Sequence, residues 1–142
     1  MVKGVMANRP PVIQVAVALV RRGDRFLVGK RSTDAHLGGL WEFPGGKCEI
    51  GESVGDAALR ELREECDVIA TIDSVLPQLR HDYGDRIIEL TPVACRWVSG
   101  EGEPIGTEVC HWFTLAELRA LPMPAMNDAI LNQLEGASLD VL

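Results

Sequence analysis

The chain has 142 residues, of which 46% are hydrophobic, and this suits one domain with a substantial core rather than a disordered chain. Its 14 basic and 21 acidic residues give a net charge of −7. This acidic balance disfavours a nucleic-acid duplex as the partner, but it allows a nucleotide that is held through a metal ion.

The N-terminal region shows no targeting or membrane signal. Residues 1–11 lack the apolar core of a signal peptide, and the apolar run at 15–20 is far too short to span a bilayer. The four cysteines have no zinc-binding spacing and fit free thiols in a reducing compartment. We therefore expect a cytoplasmic protein without a membrane partner, consisting of a flexible leader (1–11) and a single domain (12–142).

The first half of the chain is predicted to form a hairpin followed by a loop and a long helix. In chain order, the predicted elements are a strand at 13–20, a turn at 21–24, a returning strand at 25–30, a loop at 31–41, a bend at 42–46 and a helix at 53–66. The two glycines of the bend are expected to supply unusual dihedral angles. Ser53 is the predicted N-cap of the helix, with Asp56 three residues later.

The second half is richer in strands. The predicted elements are a strand at 68–76, a polar turn at 80–85, a strand at 86–98, a turn at 99–104, a strand at 107–113, a short helix capped by Thr114 and Glu117, a proline-containing loop at 121–125 and a helix at 126–134. Pro92 predicts an edge strand or a bulge. This order of elements indicates one mixed α/β domain.

Three acidic residues, Glu61, Glu64 and Glu65, share one face of the predicted long helix. A generic helix would present such a run to solvent, paired with arginines such as Arg60. The cluster is also suited to divalent cations, because Mg²⁺ prefers oxygen ligands and completes its shell with substrate phosphates. Arg60 is able to brace a neighbouring carboxylate, such as that of Glu52, through a bidentate pair.

The wider segment decides between these interpretations. Residues 46–68 (GKCEIGESVGDAALRELREECDV) resemble the Nudix box in the order and spacing of its glycine, glutamates and arginine. The matching residues are Gly46, Glu52, Arg60, Glu61, Leu62, Glu64, Glu65 and Val68. Asp67 stands where the family has glycine, at a position that suits a left-handed helix cap.

Further segments resemble the MutT-type branch of the Nudix family. They are the first strand at 13–19, the segments 30–36 and 40–47, and Pro124–Asp128, where that branch carries a purine-reading asparagine. The resemblance implies a Nudix fold, with a mixed β-sheet sandwiched between α-helices. It also implies a catalytically active hydrolase, since a non-catalytic Nudix-like binding module would be expected to have lost box carboxylates.

The resemblance implies a metal site for Mg²⁺, in which Mn²⁺ substitutes. Its ligands would be the carbonyl of Gly45 and the carboxylates of Glu61, Glu64, Glu65 and Glu108. The implied catalytic residues are Glu61, Glu64, Glu108 and Arg60. Either Glu61 or Glu108 would serve as the general base.

The resemblance also implies a nucleotide pocket. Its residues would be Arg31, Phe43, Tyr83, Asp85, Arg86 and Asn127, above an apolar floor of Ile13 and Val15. For Phe43 and the floor residues, core packing is an equally good interpretation. For Asn127, the competing interpretation is a helix N-cap.

The implied reaction is Mg²⁺-dependent hydrolysis of nucleoside triphosphates to a monophosphate and pyrophosphate. The substrate is expected to be an oxidised purine nucleotide such as 8-oxo-dGTP, which would make the protein a sanitiser of the nucleotide pool. The alternatives are CTP, a methylated dCTP or a broad range of nucleotides. The expected assembly is a monomer or a homodimer.

Overall fold

The computed structural model describes residues 9–32, 34 and 38–141, so most of the predicted leader at 1–11 lies outside it. The strands are β1 (Val12–Arg22), β2 (Arg25–Lys30), β3 (Trp41–Glu42), β4 (Gly45–Lys47), β5 (Ile69–Val75), β6 (Leu79–Asp82), β7 (Ile87–Ser99) and β8 (Val109–Thr114). The helices are α1 (Val54–Cys66), α2 (Leu115–Arg119) and α3 (Met126–Val141).

These strands form one sheet whose main path runs β3-β2-β1-β7-β5. The remaining strands extend this path, with β4 beside β1, β6 beside β7 and β8 beside β2. The central pair, β1 and β7, is parallel from Val12↔Ile87 to Arg21↔Arg96, whereas the other pairs are antiparallel. The sheet is therefore mixed.

The side chains of β1 alternate between two hydrophobic cores. One face of the strand packs with α1, through residues that include Ala16, Ala18, Ala58 and Leu62. The opposite face packs with α2 and α3, through residues that include Val17, Leu19, Leu118 and Ile130. Because a strand that is buried on both faces needs a helix layer on each side, the prediction of a mixed sheet sandwiched between helices is confirmed.

Helix α1 begins and ends close to where the sequence predicts. The hydroxyl of Ser53 accepts a hydrogen bond from the backbone N–H of Asp56 at 3.1 Å, which makes Ser53 the N-cap. Asp67 closes the helix in the left-handed region (φ 52°, ψ 44°) and donates its N–H to the Arg63 carbonyl. Asp67 thus adopts the glycine-like conformation at a cost of about 1 kcal/mol.

The prediction of a turn at 80–85 is wrong over its first half. Leu79–Asp82 forms β6, which pairs with β7 from Leu79↔Leu90 to Asp82↔Ile87, and the turn itself comprises residues 83–85. The side chains from Arg80 to Asp82 are exposed, so their polarity resembles that of a turn. These residues nevertheless form a strand, because they pair with the first residues of β7 on the side opposite β1.

The prediction that Pro92 marks an edge is also wrong, because Pro92 is buried in the central strand β7. Its carbonyl accepts a hydrogen bond from the N–H of Leu76 at 2.9 Å, on the side of β5 and β6. The missing N–H of proline faces the same side, where residues 76–78 leave the sheet between those two strands. The sheet therefore tolerates this proline because its neighbour is interrupted at that point.

Candidate active site

The three carboxylates of α1 differ in exposure. The Glu61 side chain is 17% exposed, whereas that of Glu64 is 60% exposed. Glu65 is half-buried and accepts a hydrogen bond from the N–H of Gly45 at 3.0 Å. The acidic face therefore runs from solvent at Glu64 to the edge of the sheet at Glu65.

Arg60 is the centre of an ion-pair network on this face. Its guanidinium forms a bidentate pair with Glu52, with distances of 2.8 and 3.0 Å. The same group donates to Glu61 at 3.0 Å, to Glu64 at 3.2 Å and to the Lys47 carbonyl at 3.1 Å. Arg60 thus ties the loop before α1 to two of the acidic side chains, and the hydrogen bonds that it donates to Glu52 and Glu61 raise the pKa of its guanidinium.

Two glycines of β4 permit close packing of this helix against the sheet. A Cβ on Gly45 would lie 2.4 Å from the Ala16 carbonyl oxygen, and one on Gly46 would lie 2.6 Å from Oε1 of Glu61. Neither glycine has a positive φ among the described residues, so the expectation of unusual dihedral angles is wrong. The requirement is steric, since a side chain on Gly45 would collide with β1 and a side chain on Gly46 would push the Glu61 carboxylate away from β4.

The register of β4 exposes backbone groups of Gly45 to α1. Gly45 lies opposite Val17, between the hydrogen bonds that join Ala18 to Pro44 and Cys48 to Gln14. It therefore occupies a non-hydrogen-bonded position, and both its N–H and its carbonyl point away from β1. The N–H reaches Glu65, and the carbonyl points towards the same acidic side.

The negative charges of the cluster are incompletely neutralised by protein groups. Burial raises the pKa of Glu65 to about 8, with further increases from the hydrogen bond to Glu61 and the charge of Glu42, while the Gly45 N–H opposes the shift. Burial also raises the pKa of Glu42, against the attraction of Arg31. An added cation would relieve this repulsion, so the oxygen-only donor set fits a hard divalent ion.

Within the described part of the chain, no three acidic, histidine or cysteine side chains are grouped tightly enough to form a preassembled metal centre. The carboxylates of Glu61 and Glu64 already accept hydrogen bonds from Arg60, and the carboxylate of Glu65 accepts one from the N–H of Gly45. Metal binding would therefore require the side chains to turn from these partners towards the ion.

The segment that carries Glu108 wraps around the C-terminal end of α1. The N–H groups of Ile105 and Gly106 both donate to the Glu65 carbonyl at 3.0 Å, and that of Glu103 donates to the Cys66 carbonyl at 2.7 Å. These bonds satisfy carbonyls that a helix end leaves without partners. Glu108 is exposed and is fixed through its N–H to the Lys30 carbonyl at 3.0 Å.

A pocket of 220 Å³ opens beside Gly45 and Gly46. Four predicted nucleotide-binding residues line it, namely Arg31, Phe43, Tyr83 and Asn127, together with Val15. Asp85, Arg86 and Ile13 are not part of its lining. Arg86 instead lies 4.8 Å from the ring of Tyr83, and Asp85 is exposed beside it.

Asn127 is 6% exposed and is the second residue of α3. The N-cap interpretation is therefore wrong, because an N-cap residue precedes the first helical turn. Its side-chain Nδ2 lies 3.8 Å from the sulfur of Met123, which is a weak acceptor. The amide thus keeps capacity for stronger hydrogen bonds within the pocket.

Several residues that line this pocket were not among the predicted nucleotide-binding residues, including Glu42, Pro124, Met126 and Ile130. The Glu42 carboxylate lies 3.0 Å from Nε of Arg31 and so helps to fix that arginine. The position of the acidic Glu42 between two aromatic residues was a possible sequence signal for a role in the pocket. The apolar residues of α3 gave none, because their helical spacing fits ordinary core packing equally well.

Comparisons with known proteins identify the family of the chain. The NUDIX domain family matches residues 15–133. The chain is 35% identical to the 8-oxo-dGTP diphosphatase of Escherichia coli K12 over 127 residues, which cover 87% of this chain and 96% of that protein. It is 38% identical to the CTP pyrophosphohydrolase of the same organism over 79 residues, which cover 56% of this chain and 58% of that protein.

The fold is also similar to solved structures. The crystal structure of a MutT protein from Methanosarcina mazei Go1 superposes with a TM-score of 0.80 at 21% identity, and covers 92% of this chain and 97% of that one. Because the NUDIX domain family matches most of its length, the chain belongs to the Nudix family. The prediction of an enzyme of the MutT type, a Nudix hydrolase, is confirmed by this family match and by the 8-oxo-dGTP diphosphatase relative.

Membership of this family defines the general chemistry of the site. Nudix hydrolases depend on divalent metal ions and act on small nucleotide substrates. In the described residues, none of the helices is both long enough and apolar enough to cross a membrane.

Proposed function

We propose that the protein hydrolyses 8-oxo-dGTP to the nucleoside monophosphate and pyrophosphate, with Mg²⁺ as its metal and Mn²⁺ as a substitute. The observation that carries this proposal is the position of the buried Asn127 amide, in the same pocket as Gly45 and Gly46 at the edge of the acidic helix. A purine in this pocket would place its phosphates towards the carboxylates. The similarity to an 8-oxo-dGTP diphosphatase supports the same substrate.

The pocket offers both shape and polarity for an oxidised purine. Phe43, Met126 and Ile130 contribute apolar surface, and Tyr83 contributes an exposed aromatic ring. The Asn127 amide is able to donate and accept hydrogen bonds along one purine edge. Since oxidation at C8 changes the hydrogen-bonding groups of that edge, an amide at this position supports discrimination between 8-oxo-dGTP and dGTP.

For catalysis, we infer that Glu61, Glu64, Glu65, Glu108 and the Gly45 carbonyl hold the metal. When bound, Mg²⁺ would acidify water and neutralise phosphate charge. Glu61 is the favoured general base, because Arg60 holds its carboxylate next to β4, while the exposed Glu108 is the second candidate. The expected site of hydrolysis is the β-phosphorus, with Glu61 or Glu108 to take the proton from water, and Arg60 would act by positioning Glu61 and Glu64.

The alternative substrates are CTP, a methylated dCTP or a broad range of nucleotides. The similarity to a CTP pyrophosphohydrolase favours the first of these. A pyrimidine would reach fewer of the groups that line the pocket, so Asn127 would then contribute less to binding.

Pyrophosphate release should be measured over a panel of 8-oxo-dGTP, dGTP, dATP, CTP, dCTP and 5-methyl-dCTP with saturating Mg²⁺. We expect kcat/KM for 8-oxo-dGTP to exceed that for dGTP by roughly 100-fold or more. A higher kcat/KM for CTP, or equal values for the two guanine nucleotides, would contradict the proposal. The Glu61→Gln variant serves as the background control for contaminating phosphatases.

We further infer that the protein acts in the cytoplasm as a monomer or a homodimer, with residues 1–11 as a leader to a single domain at 12–142. The free thiols of all four cysteines support a reducing compartment. Analytical ultracentrifugation tests the assembly state, and cell fractionation tests the location.

A further inference from the structure

Two thiols face each other at the C-terminal end of the acidic helix. Cys66 is the last residue of α1 and is fully buried, while Cys110 is half-buried in β8. Their sulfur atoms are 3.1 Å apart. Cys110 also lies 3.4 Å from the hydroxyl of Thr107 and 3.5 Å from the Glu103 carbonyl.

The other two cysteines have different surroundings. Cys95 is buried in β7, where its sulfur lies 3.3 Å from the Val93 carbonyl. Cys48 is half-buried and lies near the charges of Glu52 and Arg60. Cys66 and Cys110 are therefore the pair whose placement suits a reaction between two thiols.

We propose that Cys66 and Cys110 form a site of reversible oxidation by hydrogen peroxide, which joins the end of α1 to β8 through a disulfide. In the first step, the Cys110 sulfur attacks one peroxide oxygen, the O–O bond breaks, and one water leaves as the sulfenic acid forms. In the second step, the Cys66 sulfur displaces the sulfenic oxygen as water. The two thiols lose two electrons and two protons, and the peroxide is reduced to two waters.

The surrounding backbone holds the two thiols close together. A disulfide needs the sulfur atoms to approach by only about 1 Å from their present separation. The segment before β8 is held to α1 by hydrogen bonds from Glu103 to Cys66, and from Ile105 and Gly106 to Glu65. These bonds limit how far the two thiols separate.

The cross-link would act beside the proposed metal ligands. Cys66 directly follows Glu65, and Cys110 lies two residues after Glu108. A disulfide would therefore restrain both ends of the acidic cluster and close a long loop in the unfolded chain. We expect the oxidised protein to unfold at a temperature roughly 10 °C higher than the reduced protein.

Peptide mapping of the wild-type protein tests the pairing directly. Trypsin places each cysteine in its own peptide, because the chain has arginine or lysine between them. These peptides are 48–60 (Cys48), 64–80 (Cys66), 87–96 (Cys95) and 97–119 (Cys110). After treatment with peroxide, blocking of free thiols and digestion without reductant, we expect 64–80 and 97–119 to be joined and the other two to be alkylated.

Three results of this map would overturn the proposal. One is alkylation of all four peptides, another is oxygen addition to 97–119 while 64–80 stays reduced, and the third is a bond to Cys48 or Cys95. The Cys48→Ser/Cys95→Ala variant keeps only the proposed pair and should still form the disulfide. The Cys110→Ser variant should not form it.

Thermal unfolding tests the structural consequence. The oxidised wild-type protein should melt at a higher temperature than the reduced protein, and dithiothreitol should reverse the change. Cys110→Ser should show no peroxide-dependent increase. A confirmed disulfide accompanied by a lower melting temperature would contradict the inferred stabilisation, independently of which nucleotide the enzyme hydrolyses.

Discussion

The acidic helix and the proposed nucleotide pocket are built in opposite ways. The three carboxylates, Arg60 and Glu52 come from one continuous segment, and Arg60 joins Glu52, Glu61 and Glu64 through ion pairs. The pocket instead collects side chains from distant parts of the chain, such as Val15, Tyr83 and Asn127. Most of the proposed metal-binding carboxylates are therefore set by one local segment, whereas the proposed nucleotide selection depends on how several elements pack.

The strongest test of this contrast is the loss of one carboxylate. Glu61→Gln should lower kcat by about 1,000-fold, because it removes the favoured base and a proposed metal ligand. Steady-state kinetics would measure this loss, and the melting temperature should change little. Glu49→Gln is a matched control, since Glu49 is 69% exposed and lies 3.8 Å from Arg60. Comparable kcat values for the two variants would remove Glu61 from the mechanism.

A second test shifts the carboxylate without removing it. In Gly46→Ala, the new methyl group would contact Glu61 and displace its carboxylate, so kcat should fall by roughly 100-fold. Gly136→Ala is the control, because a Cβ there would meet nothing within 4 Å. Gly45→Ala should instead impair folding, because its methyl group would contact backbone. Unchanged kinetics of Gly46→Ala would contradict the steric role assigned to this glycine.

The pocket is tested by truncation of its amide. Asn127→Ala should reduce the preference for 8-oxo-dGTP over dGTP by about 10-fold, because a purine edge loses its hydrogen-bonding partner. The kcat/KM ratio measures this effect. Asn132→Ala is the control on the same helix, since Asn132 is exposed and pairs with Arg119. An unchanged ratio would contradict the role assigned to Asn127 in base selection. A loss of metal affinity would show that the pocket and the acidic helix are not separable.

The smallest expected effect concerns the charge of Glu65. Its pKa is about 8 in the folded protein, against an ordinary value of 4.5, so the folded state binds more protons between these values. The metal-free protein should therefore lose several degrees of melting temperature as the pH rises from about 5 to 8. The raised pKa of Glu42 acts in the same direction. The pKa of Glu52 is lowered, so the stability that this carboxylate contributes is lost only in more acidic solution, where it becomes protonated.

Differential scanning fluorimetry across this pH range would measure the effect. Glu65→Gln should flatten the dependence, since glutamine still accepts the Gly45 N–H without carrying charge. Saturating Mg²⁺ should raise the melting temperature most at the alkaline end, where the repulsion is largest. A metal-free melting temperature that rises with pH would contradict the assigned pKa direction.

The sequence predicts best those features that depend on neighbouring residues. The bounds of α1, the left-handed Asp67 and the capping box at Thr114 all follow from local rules, and the structure confirms them. The wrong predictions, such as the turn at 80–85 and the edge position of Pro92, involve strand pairing across the sheet. Polar exposed strands resemble turns in composition, and only the partner strand distinguishes them.

The candidate site shows the same division. The Arg60–Glu52 pair was predictable because both residues belong to one motif and the geometry of an arginine fork is fixed. The contact of Glu42 with Arg31 was not, because it joins β3 to the residue after β2. The steric role of Gly45 and Gly46 likewise depends on β1 and α1, which the local glycine rule does not consider.

Pro92 also restricts the ways in which this sheet is able to assemble. A slip of β6 by two residues along β7 would bring a partner carbonyl opposite the missing N–H, and that carbonyl would lose its hydrogen bond. The slipped arrangement keeps the same side-chain faces, so hydrophobic patterning alone does not exclude it. A single proline within the strand therefore helps to select the native register during folding.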